Sequence, residues 1–367
     1  MTTAPAPAPV RPLTAKSHQT LTSGHLPRWA PWGLLATSLV VFGAIFAVIA
    51  AAGRTEFSVA GWIVLSVIAY LILIYVISRI VEGSRRAFDR FVTGIVSSAF
   101  AIAMVPLVSV AWTVISNGIA RFDGPFFSSS MRGILGEGGG AAHAIWGTVL
   151  ITGAAAIISI PIGLMTAIYL IEYGQTSRLG KAITFLVDVM TGIPSIVAGL
   201  FAYALFALIF GPGVRMGFAG AVALSVLMIP VVVRSSEEML RLVPNELREA
   251  SYALGVPKWL TIVKVVLPTS IAGITTGVML AIARVIGETA PLLITAGFTD
   301  ALNTNLFDGR MQTLPVYIYS QYAYKGIPPE AYVDRAWAAA LTLILIVMAL
   351  NLIARLVAKL FAPKTGR

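Results

Sequence analysis

The sequence contains no cysteine and unusually few charged residues. Its 26 Lys and Arg and 16 Asp and Glu make up 11% of 367 residues, whereas a typical soluble domain has about 25%. The absence of cysteine excludes disulfides, thiolate metal sites and a cysteine nucleophile. The three histidines, His18, His25 and His143, are too widely spaced to predict a metal site. So few charges cannot cover the surface of a soluble protein of this length, and the composition therefore predicts a membrane protein.

Long apolar runs are the main feature that the sequence does contain. About 20 apolar residues span the hydrocarbon core of a bilayer as a helix. Eight such segments are predicted, at residues 30–52, 59–78, 93–116, 145–171, 183–210, 217–233, 266–287 and 336–354. A further run, Thr289–Phe298, is short and contains Pro291, which favours a re-entrant or helix-extending segment. The predicted fold class is all-α, a polytopic membrane protein with about eight transmembrane helices.

The distribution of positive charge predicts the orientation in the membrane. Of the 26 Lys and Arg residues, 18 fall in one alternate set of connections, seven fall in the other, and Arg284 lies inside a span. The positive-inside rule assigns the side with 18 to the cytoplasm, so we expect both termini there. Because the basic residues are spread over several loops, topology explains the net charge of +10, and nucleic-acid binding is not expected.

The longest predicted cytoplasmic connection, residues 234–264, is predicted to contain short helices bounded by residues that typically begin or end a helix. Ser235 and Glu238 fit a capping box, and Pro244 fits the first turn of a helix of about ten residues. Gly255 can end that helix in the left-handed conformation. Residue spacing alone thus predicts either a rigid cytoplasmic projection with a function or a folded connector.

The segment Glu249–Pro268, EASYALGVPKWLTIVKVVLP, resembles the coupling signature of ABC-importer permeases. That signature reads EAA, three residues, Gly, nine residues, Ile, one residue and Leu-Pro. Ser251 stands in place of the second alanine and Val265 in place of the isoleucine. Two further stretches, Gly192–Phe201 and Ala283–Phe298, are similar to the PstA family, the membrane permease subunits of ABC-type phosphate importers.

The resemblance covers about residues 90 to 361 and implies a domain organisation. It implies a type I ABC-importer permease core of six helices at residues 90–362, with the coupling loop at residues 234–264. Before the core come a disordered cytoplasmic tail at residues 1–29 and an extension of two helices at residues 30–89. The implied location is the plasma (inner) membrane, as a multi-pass protein.

The resemblance also implies partners and a coupling site. In this family the coupling segment is a foot that sits in a cleft of a separate ATPase subunit. The residues expected to couple to the ATPase are Glu249, Ala250, Ser251, Gly255, Pro257 and Lys258. The implied partners are a second, homologous permease (PstC-like), a cytoplasmic ATPase dimer (PstB-like) and an external phosphate-binding protein (PstS-like), together with phosphate and membrane lipid.

No catalytic residue, cofactor or metal is expected in this chain, because ATP is expected to bind in the partner ATPase. The nearest approach to a phosphate-binding loop is GQTSRLGKA, at Gly174–Ala182. Its glycines have the wrong spacing, and Ala182 stands where the motif requires Ser or Thr. The glycine-rich string at Gly136–Ala141 is interpreted as a flexible turn in an outer loop.

Arg284 is the main candidate for the substrate pathway, because an arginine within a span requires a partner or an aqueous cavity. It precedes Glu288 by four residues, which would place both on one helical face. A guanidinium can bind phosphate through two parallel hydrogen bonds. One hypothesis is that Arg284 pairs with Glu288 when the pathway is empty and with phosphate in passage. The alternative is a structural pair that holds this helix to the partner permease.

Two hydroxyl residues complete the candidate pathway, Ser195 and Thr289. Pro194 and Ser195 are expected to break the fifth span, and the freed backbone N–H groups could face an anion. A plain proline kink is equally compatible with the sequence. A third ionisable residue near the spans, Asp188, favours a structural role.

Two long outer loops, at Asn117–Ala144 and Glu288–Arg335, are interpreted either as a docking surface for an external partner or as packing on the membrane face. Two alternatives to phosphate import stay open at this stage. The chain could transport another oxyanion, molybdate or sulfate, or it could be a self-contained secondary transporter.

Overall fold

The computed structural model describes residues 24–53 and 56–361, and all regular structure in this part of the chain is helical. Seven of the described helices are long and apolar enough to cross a membrane, or eight spans if one bent pair counts as a span. The all-α, polytopic fold class is therefore confirmed. Of the tail at residues 1–29 that the sequence predicts to be disordered, residues 1–23 lie outside the described residues.

The described helices have well-defined bounds. They are α1 (Ala30–Ala51), α2 (Val59–Val81), α3 (Ser84–Gly118), α4 (Gly124–Ser128), α5 (Ala142–Ile168), α6 (Arg178–Thr191), α7 (Ser195–Phe210), α8 (Gly217–Arg241), α9 (Asn245–Ala253), α10 (Lys258–Thr261), α11 (Leu267–Val285), α12 (Ala290–Thr295), α13 (Leu314–Ala323) and α14 (Pro329–Phe361). A π-helical turn, Tyr169–Tyr173, extends α5, and a second, Ile262–Val266, joins α10 to α11.

The chain divides into two compact units, Met1–Val110 and Ala111–Arg367. In the first unit, α1 and α2 pack against each other. The indole of Trp62 donates a hydrogen bond of 2.8 Å to the carbonyl of Leu39, and the same ring contacts Gly43. These contacts fix the two apolar helices side by side.

The core of the second unit is formed by α5, α8 and α11, with α7 and α12 packed against them. Small residues allow the helices to approach closely. A Cβ atom on Gly163 would lie 2.7 Å from the Val232 side chain, and one on Gly277 would lie 2.4 Å from the Ser235 hydroxyl. This is the packing expected between helices in a membrane, where small residues rather than hydrophobic burial bring helices together.

The predicted span at residues 183–210 is broken beside Pro194, as the sequence predicts. The structure divides it into α6 and α7, which meet at an angle of 109°. The break lies at residues 192–194, because Pro194 disfavours helical backbone at Ile193 and also begins α7 as its N-cap residue. At 1.5 Å per residue, the 16 residues of α7 extend about 24 Å.

The predicted capping box at Ser235 and Glu238 is wrong. Helix α8 continues without a break through both residues and ends at Arg241. The Ser235 hydroxyl instead donates a hydrogen bond of 2.8 Å to the Val231 carbonyl, inside the helix. Ser236, Glu237 and Leu240 are buried, so tertiary packing extends this helix beyond the predicted end of the span.

The approach of α5 to the chain before α13 generates a test. A Cβ atom on Gly147 would lie 2.0 Å from the backbone carbonyl oxygen of Gln312, which no side-chain movement can relieve. We expect Gly147→Ala to destabilise the protein by about 1–3 kcal/mol, as overpacking does. Thermal unfolding in detergent measures the effect.

Gly153→Ala is the matched control, because Gly153 lies in the same helix and its Cβ would meet nothing within 4 Å. Removal of a helical glycine should raise the unfolding temperature slightly, by the equivalent of about 1 kcal/mol at most. Equal unfolding temperatures for the two variants would contradict the described packing.

Candidate functional site

The segment from α9 to α10 forms a helix, a glycine corner and a second helix, as the sequence predicts. Helix α9 ends in a Schellman motif, in which the N–H of Val256 bonds the Ser251 carbonyl and the N–H of Gly255 bonds the Tyr252 carbonyl. Gly255 has a φ of +78°, a conformation that favours glycine. Pro257 is the N-cap residue of α10. We call residues 245–261 the foot.

A buried hydrogen bond joins the two helices of the foot. The hydroxyl oxygens of Ser251 and Thr261 lie 2.8 Å apart, and both side chains are buried. Among the coupling residues expected from the resemblance, Ser251 therefore supports the foot from inside. An alanine in its place would leave the Thr261 hydroxyl without this partner.

An ion pair fixes the foot to the end of α5. Arg248 donates from Nε and Nη2 to one carboxylate oxygen of Glu172, at 3.0 and 2.9 Å. The same guanidinium donates to the carbonyls of Val243 and Leu240. The Glu172 side chain is 5% exposed and that of Arg248 12% exposed, so this pair is largely shielded from water. The bonds to two backbone carbonyls at the end of α8 make Arg248 the junction of three segments.

Lys258 reinforces the same junction from the second helix of the foot. Its ammonium group donates to the backbone carbonyl of Glu172 and lies 4.7 Å from the centre of the Tyr173 ring. A cavity of about 510 Å³ lies beside these contacts, and Lys258, Arg248 and Tyr173 are among the residues that line it.

The outer surface of the foot is exposed and partly apolar. Glu249, Ala250, Gly255, Pro257 and Lys258 are all exposed, so five of the six expected coupling residues are accessible to a partner. Two large apolar side chains accompany them: Leu254 is 84% exposed and Trp259 61% exposed. An apolar surface rimmed by polar residues is typical of a protein interaction site.

The structure does not form the ion pair that the sequence predicts between Arg284 and Glu288. Helix α11 ends at Val285, so the two residues do not share one helical face. The N–H of Glu288 instead bonds the Val285 carbonyl at a turn. Arg284 is exposed, Glu288 is partly exposed, and neither belongs to an ion pair within residues 24–53 and 56–361. Spacing by four residues predicted a contact that the end of the helix prevents.

Two of the four candidate pathway residues, Ser195 and Thr289, nevertheless lie near one helix contact. Helices α7 and α12 meet where Gly199 faces Pro291, and a Cβ atom on Gly199 would lie 2.6 Å from the Pro291 Cα. Ser195 begins α7 one turn before Gly199, and Thr289 is the N-cap residue of α12. Glu288 immediately precedes that cap in the chain, and Arg284 lies five residues before it. No side-chain hydrogen bond caps either helix.

The structural role favoured for Asp188 agrees with its contacts. Its carboxylate accepts a hydrogen bond from Arg234 in α8, and Arg234 also pairs with Glu237 at 2.7 Å. These bonds join α6 to α8 close to the bend between α6 and α7.

The glycine-rich string at Gly136–Ala141, expected to be a flexible turn, is held by a buried arginine. Arg335 is fully buried and donates from Nη1 to the carbonyls of Gly136 and Gly138, at 2.7 and 3.0 Å. It also donates from Nε to Gln321 at 2.9 Å. The turn is therefore connected to the beginning of α14 and to α13.

Five aromatic residues of the second predicted outer loop divide between packing and an exposed surface, the two roles that the sequence leaves open. Tyr317 is fully buried, its ring lies 5.4 Å from that of His143, and burial raises the pKa of its hydroxyl above the usual range. Four others are exposed: Phe307, Tyr319, Tyr322 and Tyr324. The first residue serves packing, and the other four form an accessible surface.

Sequence reasoning missed Glu172, Arg248, Thr261 and Arg335. Glu172 could have been found as a single acid among apolar and aromatic residues directly after a predicted span. Arg335 stands directly before the last predicted span, where its burial was not foreseen. Nothing in the sequence pairs Arg248 with a residue 76 positions earlier or Thr261 with Ser251.

Comparisons with known proteins give a consistent assignment. A family model described as "Binding-protein-dependent transport system inner membrane component" matches residues 159–367. The chain is 47% identical over 285 residues to "Phosphate transport system permease protein PstA 1" of Mycobacterium tuberculosis (strain CDC 1551 / Oshkosh), covering 77% of this chain and 92% of that protein. It is 37% identical over 283 residues to "Phosphate transport system permease protein PstA" of Yersinia pestis, covering 77% and 93%.

Two solved structures share the fold at low sequence identity. A bacterial alginate ABC transporter in complex with its alginate pentasaccharide-bound periplasmic protein matches with a TM-score of 0.53 and 14% identity, covering 79% of this chain and all of that chain. The MetNI methionine ABC transporter in an inward-facing conformation matches with a TM-score of 0.50 and 21% identity, covering 60% and 96%.

The ion pair between Arg248 and Glu172 generates a test of how the foot is held. Removing one partner of a buried pair costs about 3–5 kcal/mol, because the remaining charge stays buried without compensation. We expect Arg248→Ala to raise hydrogen exchange at the amides of α9 by at least about tenfold, since local opening becomes easier. Exchange in α5 should change little.

Arg241→Ala is the control, because Arg241 is an exposed arginine close to the foot and belongs to none of the ion pairs among the described residues. Unchanged exchange of α9 in Arg248→Ala, or an equal increase in Arg241→Ala, would show that the ion pair does not hold the foot.

Proposed function

Since the chain belongs to the binding-protein-dependent transport system inner membrane components, and within them to the PstA permeases, we propose that it forms part of the membrane passage of an ATP-driven phosphate importer. The observation that carries this proposal is its similarity to PstA permeases along more than nine tenths of their length, at 37–47% identity. The substrate is inorganic phosphate.

The foot is the contact for a cytoplasmic ATPase. Its exposed face combines Glu249 and Pro257 with the apolar side chains of Leu254 and Trp259, which offers both polar and apolar contacts. The foot is connected to α5 through Glu172 and to α11 through the π-helical turn at Ile262–Val266. A movement of the ATPase would therefore displace two core helices together, which is the rigid-body coupling that alternating access requires.

The remaining partners follow from the same assignment. A second, homologous permease completes the passage, and two ATPase subunits bind ATP and engage one foot each. An external phosphate-binding protein docks on the outer loops, where Phe307, Tyr319, Tyr322 and Tyr324 are exposed. The excess of basic residues on the side of the foot supports a topology with both termini in the cytoplasm.

Arg284 is the residue that we assign to phosphate passage. It is exposed in the single chain, and the Glu288 carboxylate does not neutralise it. A guanidinium outside the described ion pairs, five residues before the N-cap residue of α12, offers positive charge and planar donors to an oxyanion. Glu288 and Thr289 follow Arg284 in the chain, Ser195 begins the helix that packs on α12, and the two hydroxyls provide further donors.

The ATPase contact is tested with a charge on the apolar part of the foot. We expect Leu254→Glu to lower the amount of ATPase that purifies with the permease by about tenfold, because an interface residue that becomes charged loses its apolar contact and must be desolvated. Leu242→Glu is the control, since Leu242 is 72% exposed but lies at the end of α8 outside the foot. Equal recovery of the ATPase in both variants would contradict the assignment of the foot.

The pathway assignment is tested by phosphate uptake at equal abundance in the membrane. We expect Arg284→Ala to lower the initial rate roughly 100-fold, because two charge-assisted hydrogen bonds of about 1.5 kcal/mol each are lost. Arg284→Lys should be intermediate, since lysine keeps the charge without the planar donors. Arg85→Ala, at an exposed arginine in α3, is the control. Near-normal uptake in both Arg284 variants would overturn the assignment.

The proposed function itself is tested by reconstitution into vesicles. Phosphate flux should require the second permease, the ATPase, ATP and the binding protein. Excess sulfate or molybdate should not lower it. Flux through this chain without an ATPase would overturn the proposal in favour of a secondary transporter, and competition by sulfate or molybdate would overturn the assignment of phosphate.

A further inference from the structure

Two adjoining cavities of the first unit lie between α3 and the pair α1 and α2, and together we call them the groove. The first, of about 540 Å³, is lined in part by the charged side chains Glu82, Arg86 and Asp89. The second, of about 420 Å³, has a mainly apolar lining that includes Leu35, Val67 and Ile102. Five residues line both cavities: Pro31, Tyr70, Thr93, Gly94 and Ser97. The groove thus has charged side chains at one end and mainly apolar side chains at the other.

The lining residues of α2 and α3 are ordered along the groove from its polar end to its apolar end. On α3 the lining residues pass from Arg86 at the beginning of the helix to Val105 deep within the apolar run. On α2 they pass from Glu82, just after the helix, back to Ile63. The polar end therefore lies at the connection between α2 and α3, at the membrane surface. The apolar end lies in the membrane interior.

The groove is somewhat longer than one lipid leaflet is thick. From Arg86 to Val105 the helix rises about 29 Å at 1.5 Å per residue. One leaflet with its headgroups is about 20 Å thick. An elongated molecule with a polar head and an apolar chain can therefore lie along α3 with each part in contact with a matching surface.

The charges at the polar end indicate the kind of headgroup. Glu82 is fully occupied: it accepts two bonds from Arg90, of 2.6 and 2.8 Å, one from Ser78 and one from the N–H of Leu26. The bonds from Arg90, followed by those from Leu26 and Ser78, lower the pKa of Glu82 to about 2 against the cost of burial, so this carboxylate remains ionised at physiological pH. Glu82 and Arg90 are thus a neutralised pair.

Two charges of opposite sign then face the cavity beside that pair. Arg86, oriented by a bond of 2.9 Å to His25, supplies a positive charge. Asp89, one turn further along α3, supplies a negative charge and belongs to no ion pair among the described residues. A headgroup with a phosphate and an ammonium group complements both, whereas a purely anionic headgroup would leave Asp89 facing a negative charge.

We propose that this groove binds one phospholipid with a phosphoethanolamine headgroup, whose phosphate lies near Arg86, whose ammonium lies near Asp89 and whose acyl chain lies along Ala101 and Val105. The site belongs to the first unit alone and does not depend on the transported substrate. It gives the two N-terminal helices a function as a lipid-binding element.

Native mass spectrometry of the full chain in detergent tests the site, with palmitoyl-oleoyl phosphatidylethanolamine and phosphatidylglycerol offered in equal amounts. The wild-type protein should retain the ethanolamine lipid about threefold over the glycerol lipid, the size expected for one partly exposed ion pair. Asp89→Asn should abolish this preference. Glu137→Gln, which neutralises an exposed acid in the second unit, should preserve it.

A second pair of variants tests the apolar part. Ala101→Phe fills the groove and should lower the retention of both lipids, whereas Ala99→Phe places the same ring on an exposed position of α3 outside the groove. Equal retention of the two lipids by the wild-type protein, or equal retention by the two phenylalanine variants, would overturn the proposal. So would a loss of the second permease subunit from purified Ala101→Phe with unchanged lipid, which would assign the groove to a protein partner.

Discussion

The ion pair between Glu172 and Arg248 connects the exposed foot to the helices that cross the membrane. Arg248 also bonds the carbonyl of Leu240, in the last turn of α8, and that of Val243, just after it, so the end of α5, the end of α8 and the foot meet at one guanidinium. A partly buried pair adds little net stability, because desolvation offsets the attraction, but breaking it is costly. Its consequence here is geometric: a force on α9 reaches α5 directly, and Lys258 adds a second connection to the same residue.

The close packing of the core makes such a force effective. Helices α5, α8 and α11 approach through glycines whose added Cβ atoms would collide with neighbouring side chains or backbone. Helices packed at this distance have few intermediate positions, so a displacement tends to move whole helices rather than to deform them. The bent pair α6 and α7 differs, because a proline interrupts its backbone and leaves the beginning of α7 without a cap. Two candidate pathway residues lie here, Ser195 at the beginning of α7 and Thr289 at the cap of the short helix α12, where backbone polar groups can face a passage.

The first unit obeys a different constraint. Its helices expose most of their apolar side chains, and their polar contacts concentrate at the connection between α2 and α3. The network around Glu82 closes that connection tightly, while α3 leaves a groove against α1 and α2. Lipid in this groove would bury apolar surface that the protein alone leaves exposed.

The sequence by itself determined the membrane fold, the approximate spans and the family, because hydrophobic length, the proline and glycine stops and the coupling signature are local properties of the chain. It also predicted the glycine corner at Gly255, since the tolerance of glycine for a positive φ is a local property of the chain. The contacts of Arg284, Ser235 and Arg335 were decided only by the tertiary structure. Whether Arg284 can reach Glu288 depends on where α11 ends, and whether α8 continues past Ser235 depends on the neighbours that bury it. The partner of Arg248 lies 76 residues away, and only the packing of three helices brings the two charges together.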